Sequence, residues 1–192
     1  IEVLKIEADG IMNLIERVDD NFARMVEIIC SSDARVIISG IGKSGIIGRK
    51  IVATLNSTGT RALFLHPVEA MHGDLGQVSR NDIFIALSNS GETDELCILL
   101  PSIRRIGCKI IAFTGSKKST LATQSDIVID VGVEFEACPL GLAPAVGMVC
   151  GDYQPVIEIG CYQTGGFKDR FQDLRVVDTF PFIGLAMGAV AQ

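Results

Sequence analysis

A chain of 192 residues, 48% hydrophobic, is long enough to bury one substantial core, and its length favours one domain over two. Its net charge of −6 argues against a generic nucleic-acid or anionic-membrane surface, because both reward basic patches; an anionic ligand would have to be caught by local groups. Six cysteines with no C-x-x-C pair fit reduced thiols in the cytoplasm, and no apolar run is long enough for a membrane span.

Along the chain, Leu4, Ile11, Leu14, Ile15, Val18, Phe22, Met25, Ile28 and Ile29 recur at helical spacing. They predict one or two amphipathic helices over about 1–32, weakened at Gly10 and Asp19-Asp20. From Arg35 the pattern becomes strand and helix in alternation. Strands are expected at Val36–Ile38, Ala62–Leu65, Ile83–Leu87, Lys109–Phe113 and Ile127–Ile129. Helices are expected at Ser44–Asn56, Glu92–Ile106 and around Ser119–Thr123, with a loop over 66–82. Short β-rich runs separated by helices imply a parallel α/β sheet covered on both faces, with ligand loops at its carboxyl edge. This core runs over about 35–144. Beyond Pro144, Gly151, Pro155, Gly160 and Gly165-Gly166 interrupt any long helix, and the apolar stretch 180–192 is expected to pack into the core or against a partner.

The most informative segment is Ser88-Asn89-Ser90-Gly91-Glu92-Thr93, directly after the apolar run 83–87. Hydroxyls, an amide and free N–H groups at a helix start suit a phosphate, and Gly91 lets the backbone approach closely. Gly40-Ile41-Gly42-Lys43-Ser44-Gly45 matches G-x-G-x-x-G, but the second strand ends at Leu65-His66-Pro67 with no acidic residue at its tip to hold a ribose. A P-loop also fails, for want of a glycine five residues before Gly42. Lys43 then reads as a cation facing a substrate oxygen, with a solvated surface lysine as the plainer alternative. His66 and His72, the chain's two histidines, flank Glu69; they suit a metal, a sugar, or a structural capping role. Glu92, Asp94 and Glu95 would complement a helix dipole, and one of them could be a base. Glu95 could point back over the ligand loop, whereas Glu92 would repel an anion. Glu136, beside Ala137-Cys138-Pro139-Leu140, sits where desolvation would raise a carboxyl pKa, with Glu134 as its exposed-looking neighbour. Lys43, Glu95 and Glu136 around a sugar phosphate would supply the base and the oxyanion stabilisation of an aldose–ketose isomerase, with no redox cofactor. A Ser-His-Asp hydrolase is disfavoured, since there is no G-x-S-x-G elbow.

Taken together, GIGKSGIIGRKIVATLNSTGT, FLHPVEAMHGDLG, ALSNSGETDE and EACPLGLAP resemble the sugar isomerase (SIS) domain, most closely that of arabinose-5-phosphate isomerases. The resemblance covers about Arg35 to Pro144. It implies a single SIS domain, a three-layer α/β/α sandwich around a flavodoxin-like five-stranded parallel sheet. It also implies a homotetramer and interconversion of D-ribulose 5-phosphate and D-arabinose 5-phosphate toward the lipopolysaccharide sugar Kdo. Carried over by residue, it implicates Lys43, Glu95 and Glu136 in catalysis. It assigns substrate contacts to Gly59, Thr60, His66 and His72, inhibitory zinc to His66, and phosphate to Ser44, Ser88, Asn89, Ser90, Gly91 and Thr93. Family members continue after Pro144 with a Ser/Thr-rich helix start and carry a later catalytic histidine. Here Ala145-Val146-Gly147 follows, and no histidine occurs after His72. The paired CBS domains of many relatives are absent from these residues. A sugar-phosphate-sensing module without turnover is therefore the second reading, and a hexulose-6-phosphate isomerase the third.

Overall fold

The computed structural model describes residues 2–133. Two helices come first, α1 (Glu2–Met12) and α2 (Asp20–Ser31). Asp19 starts α2 by accepting the N–H groups of Asn21 and Phe22 at 2.9 and 3.2 Å, which satisfies donors that the first helical turn cannot. Phe22, Met25, Val26 and Ile29, spaced three and four apart, form its buried stripe.

An alternating series follows: β1 (Val36–Gly40), α3 (Gly42–Ser57), β2 (Ala62–Phe64), α4 (Pro67–Met71), β3 (Ile83–Leu87), α5 (Asp94–Ile106), β4 (Lys109–Thr114), α6 (Thr120–Thr123) and β5 (Ile127–Asp130). All five strands pair in parallel, in the order β2-β1-β3-β4-β5. Because side chains alternate along a strand, each strand feeds both faces of the sheet. Val36, Ile38, Ile85, Leu87, Ile111, Phe113 and Ile129 pack with α2 and α3. Ile37, Phe84, Ala86, Ile110 and Ala112 pack with Leu96, Leu99, Leu100 and Ile103 of α5 and Leu121 of α6. The result is the expected three-layer α/β/α sandwich.

The chain leaves β1 for β2 on one side and returns to β3 on the other, so the sheet's switch point lies between β1 and β3. The region expected to be a loop, 66–82, instead contains α4 and a 3-10 turn over Asp74–Gln77. Pro67 at the first helical turn starts α4, and five residues are too few for a periodic apolar signal. Two helix starts also differ from expectation. α3 begins at Gly42 rather than Ser44, and α5 at Asp94 rather than Glu92. Burial pushes the Cys108 thiol, already near Asp82, up to about 11, so it stays protonated at neutral pH.

Candidate active site

Two helices begin at the switch point without side-chain caps. α3 follows β1 after the single residue Ile41, whose side chain accepts nothing, and the sharp reversal leaves no room at Gly45. A Cβ there would lie 2.8 Å from the Gly40 carbonyl oxygen. Ser44, one residue earlier, lines a small pocket with Ile47, Leu87, Ser88, Asn89, Phe113 and Val131. Sequence-predicted phosphate ligands from the start of α3 and from the 88–93 turn thus meet in one cleft.

The second loop is tightly organised. Ser88 Oγ lies 2.7 Å from Thr93 Oγ1 and accepts the Gly91 N–H at 3.0 Å; Ser90 Oγ accepts the Glu92 N–H at 3.2 Å. Thr93, the residue before α5, directs its hydroxyl to Ser88 instead of capping the helix. The N–H groups of Asp94, Glu95 and Leu96 find no acceptor among the described residues, as expected of an uncapped first turn. Donors and dipole there favour an anion. Gly91 has φ +68, and its Cβ position would fall 2.1 Å from Ser119 Oγ, so conformation and space both demand glycine.

Lys43 sits in the first turn of α3, exposed and without an ion-pair partner among the described residues. Glu95 is half-buried in the first turn of α5. A cation and a carboxylate are therefore carried on the two helix starts that flank the switch point. His66 and His72 bracket α4, one at each end. His66 Nδ1 is buried without a hydrogen-bond partner among the described residues, and His72 is exposed. No three His, Cys, Asp or Glu side chains converge among the described residues, so His66 offers one ligand where zinc takes four.

Gly59 and Thr60 stand apart. They precede β2, whose first residue Ala62 pairs with Val36, so they lie at the sheet's amino edge. Ser44 and Ser88 lie at the carboxyl edge, where Gly40 pairs with Leu87. The sixteen residues of α3 separate the two edges by about 24 Å. One chain does not bring Gly59 and Thr60 to the pocket. Glu136 and Glu134 lie outside the described residues, as does the apolar stretch 180–192.

The sequence reading missed the support beneath the Ser88–Thr93 turn. Glu92 Oε1 accepts the Thr120 N–H at 2.8 Å, and hydrogen bonds from Thr120 hold the Glu92 carboxyl below its usual range. Leu121 N–H donates to the Gly91 carbonyl at 3.0 Å and Gly115 N–H to the Asn89 carbonyl at 2.9 Å. Thr114 Oγ1 also donates to Asn89 O. The only local signal was Ser119, a helix-capping residue type at the start of α6.

The fold is that of a flavodoxin-like α/β/α domain, with two uncapped helix starts and a serine-rich turn at its switch point, an arrangement whose free donors suit an anion. Residues 28–149 match the model of the SIS domain, and the chain belongs to that family. It is similar to arabinose 5-phosphate isomerase KdsD of Pseudomonas aeruginosa, 43% identical over 166 residues, covering 84% of this chain and 50% of the relative. Against arabinose 5-phosphate isomerase GutQ of Escherichia coli O6:H1 the identity is 43% over 173 residues, 88% of this chain and 53% of that one. An alignment of that length extends past Pro144, where the motif-based resemblance ended. The chain spans about half the length of these relatives. Among solved structures it is similar to E. coli CFT073 c3406 in complex with arabinose 5-phosphate, with TM-score 0.76 and 39% identity, covering 83% of this chain and 86% of that one.

Proposed function

We propose that this chain is the catalytic domain of an aldose–ketose isomerase that interconverts D-arabinose 5-phosphate and D-ribulose 5-phosphate through an enediol. The observation that carries the reading is the meeting of Ser44 with Ser88 and Asn89 in one pocket, between the uncapped starts of α3 and α5. The names of the similar relatives and the arabinose 5-phosphate complex of a 39% identical structure support the sugar.

In this reading the phosphate sits on the hydroxyls of Ser44, Ser88, Ser90 and Thr93 and on the free N–H groups at the start of α5. Glu95 or Glu136 removes the proton from carbon 2 of the aldose, and the same proton, or one from solvent, is delivered to carbon 1. Lys43 stabilises the negative charge that develops on the enediolate oxygen. His66 and His72 bind the sugar's hydroxyls. Zinc at His66 would need ligands from outside the described residues, and no step runs through it. The working unit is a homo-oligomer, a tetramer by family analogy, acting in the cytoplasm ahead of Kdo formation. No helix among the described residues is long and apolar enough to cross a membrane.

Proton NMR of D-arabinose 5-phosphate with the purified chain in D₂O tests the chemistry. Ribulose 5-phosphate should appear with deuterium at carbon 1, and recovered aldose should carry deuterium at carbon 2. Lys43→Ala, folded, should lose about 10²-fold or more in kcat, the scale of losing an oxyanion-stabilising group. Wild-type turnover in that variant would overturn the role of Lys43. Saturable binding without any isomerisation would instead favour the sensing module, the reading motivated by the absence of a histidine after His72.

A further inference from the structure

A carboxylate next to an anion-binding turn ought to weaken the anion, yet Glu92 follows Gly91 directly. The structure shows where its charge is sent. Glu92 Oε1 accepts the N–H of Thr120, the first residue of α6, at 2.8 Å. The Asn89 and Gly91 carbonyls make the same turn toward the same segment, accepting Gly115 N–H and Leu121 N–H. Three acceptors at positions 89, 91 and 92 are thereby engaged by residues 115–121. The Ser90 O–H, one of the two hydroxyl protons of the Ser88–Thr93 pair, and the N–H groups of Asp94, Glu95 and Leu96 are left to donate to a ligand.

We propose that Glu92 is a positioning residue for anion binding: its carboxylate clasps the start of α6 and so holds the 88–93 turn with its donors presented to the sugar's phosphate. The inference rests on the sugar-phosphate reading of the pocket and deepens it. Glu92 touches no substrate atom in this role. It works through Thr120, and that contact supplies the test.

Thr120→Pro removes the donor with little disturbance. Proline is favoured at a first helical position, and Ser119, at φ −67 and ψ 163, already has the extended conformation that a following proline requires. Ser119 Oγ still caps α6 through the Ala122 N–H, so the helix keeps its start. Two readouts are taken from each folded variant of the whole chain. One is affinity for inorganic phosphate, from the amide shifts of Ser90, Gly91 and Thr93. The other is KM and kcat for D-arabinose 5-phosphate.

Glu92→Ala and Thr120→Pro should each weaken phosphate and raise KM about tenfold, the scale of one hydrogen bond to a charged group, with kcat nearly unchanged. The double variant should be no worse than either single, because both break one contact. Glu92→Gln keeps an acceptor oxygen and should restore most of the affinity. Unchanged affinity in Glu92→Ala, additive losses in the double variant, or a loss confined to kcat would overturn the proposal. The phosphate titration needs no turnover. A wild-type chain that isomerises nothing but shows these losses would sink the isomerase reading and support Glu92's role; full turnover with an unaffected Glu92→Ala would sink the role of Glu92 alone.

Discussion

Two glycines with positive φ separate backbone freedom from space. Gly42 has φ +59 and nothing within 4 Å of its Cβ position; Gly91 has φ +68 and would place a Cβ 2.4 Å from Ser119 Cβ and 2.7 Å from Thr114 Oγ1. An alanine at Gly42 carries only the cost of the left-handed conformation, about 1 kcal/mol. At Gly91 it must also displace Ser119, whose hydroxyl donates to Ser116 O at 2.7 Å and caps α6. Gly91→Ala should therefore cost more, about 2–4 kcal/mol, in urea unfolding. Removing the Ser119 hydroxyl as well should not rescue it, because the Cβ clash persists. Equal losses at the two glycines would show that the turn relaxes more easily than its contacts imply. The sequence made Gly91 legible as a close-approach residue. It could not reveal Ser119 as the neighbour, 28 residues further along.

At the scale of elements, the strands were legible as short apolar runs; in the central β1, β3 and β4, burial on both faces leaves almost no polar alternation to blur the run, whereas β2 and β5 at the two sheet edges are only partly buried. α5 was legible through Leu96, Leu99, Leu100 and Ile103, although its start was placed two residues early. The carboxylate at Glu92 looks like a first-turn residue but caps a different helix. Pairings between distant elements carry no such local pattern, and the clamp at the end of β5 is one of these. Arg17 donates to the Gly132 carbonyl and lies 3.5 Å from Asp130, while Lys117 lies 3.3 Å from the other carboxylate oxygen. Partial burial pushes the Asp130 pKa up, but the Gly132 N–H and the two cations outweigh it and hold the carboxyl below its usual range. The native state thus binds fewer protons at Asp130 than the unfolded chain does. Its stabilising contribution is full above the unfolded carboxylate value, near pH 4, and is lost as the pH falls through the lower folded value. Arg17→Ala should destabilise by about 1 kcal/mol at pH 7, the pair being partly solvated. The gap from wild type should narrow below about pH 4, where the carboxylate no longer contributes its charge. A gap independent of pH would mean that Arg17 acts only through Gly132.

For the whole molecule, two observations favour the proposed second copy. Among the described residues α1 buries none of its side chains, and Val3 and Leu4 are 46% and 69% exposed. Gly59 and Thr60, which the family resemblance assigns to the ligand, lie at the sheet edge opposite the pocket of their own chain. Thr60 Oγ1 is buried there without a hydrogen-bond partner among the described residues. If these residues reach a ligand, they reach the ligand of another copy, and a site completed across copies makes assembly a condition of activity. Light scattering at micromolar concentration should then give a multiple of the chain mass. Leu4→Asp should lower that mass while leaving the cooperative unfolding of the α/β core nearly unchanged, since α1 contributes nothing to the buried clusters. Complementation separates a shared site from a merely apolar contact. Lys43→Ala alters the start of α3 and Thr60→Val the far edge; if one site draws on both edges from different copies, mixing the two weakened proteins restores activity that neither has alone. A monomeric wild-type chain that is fully active would overturn the shared site, and Gly59 and Thr60 would then serve the turn between α3 and β2.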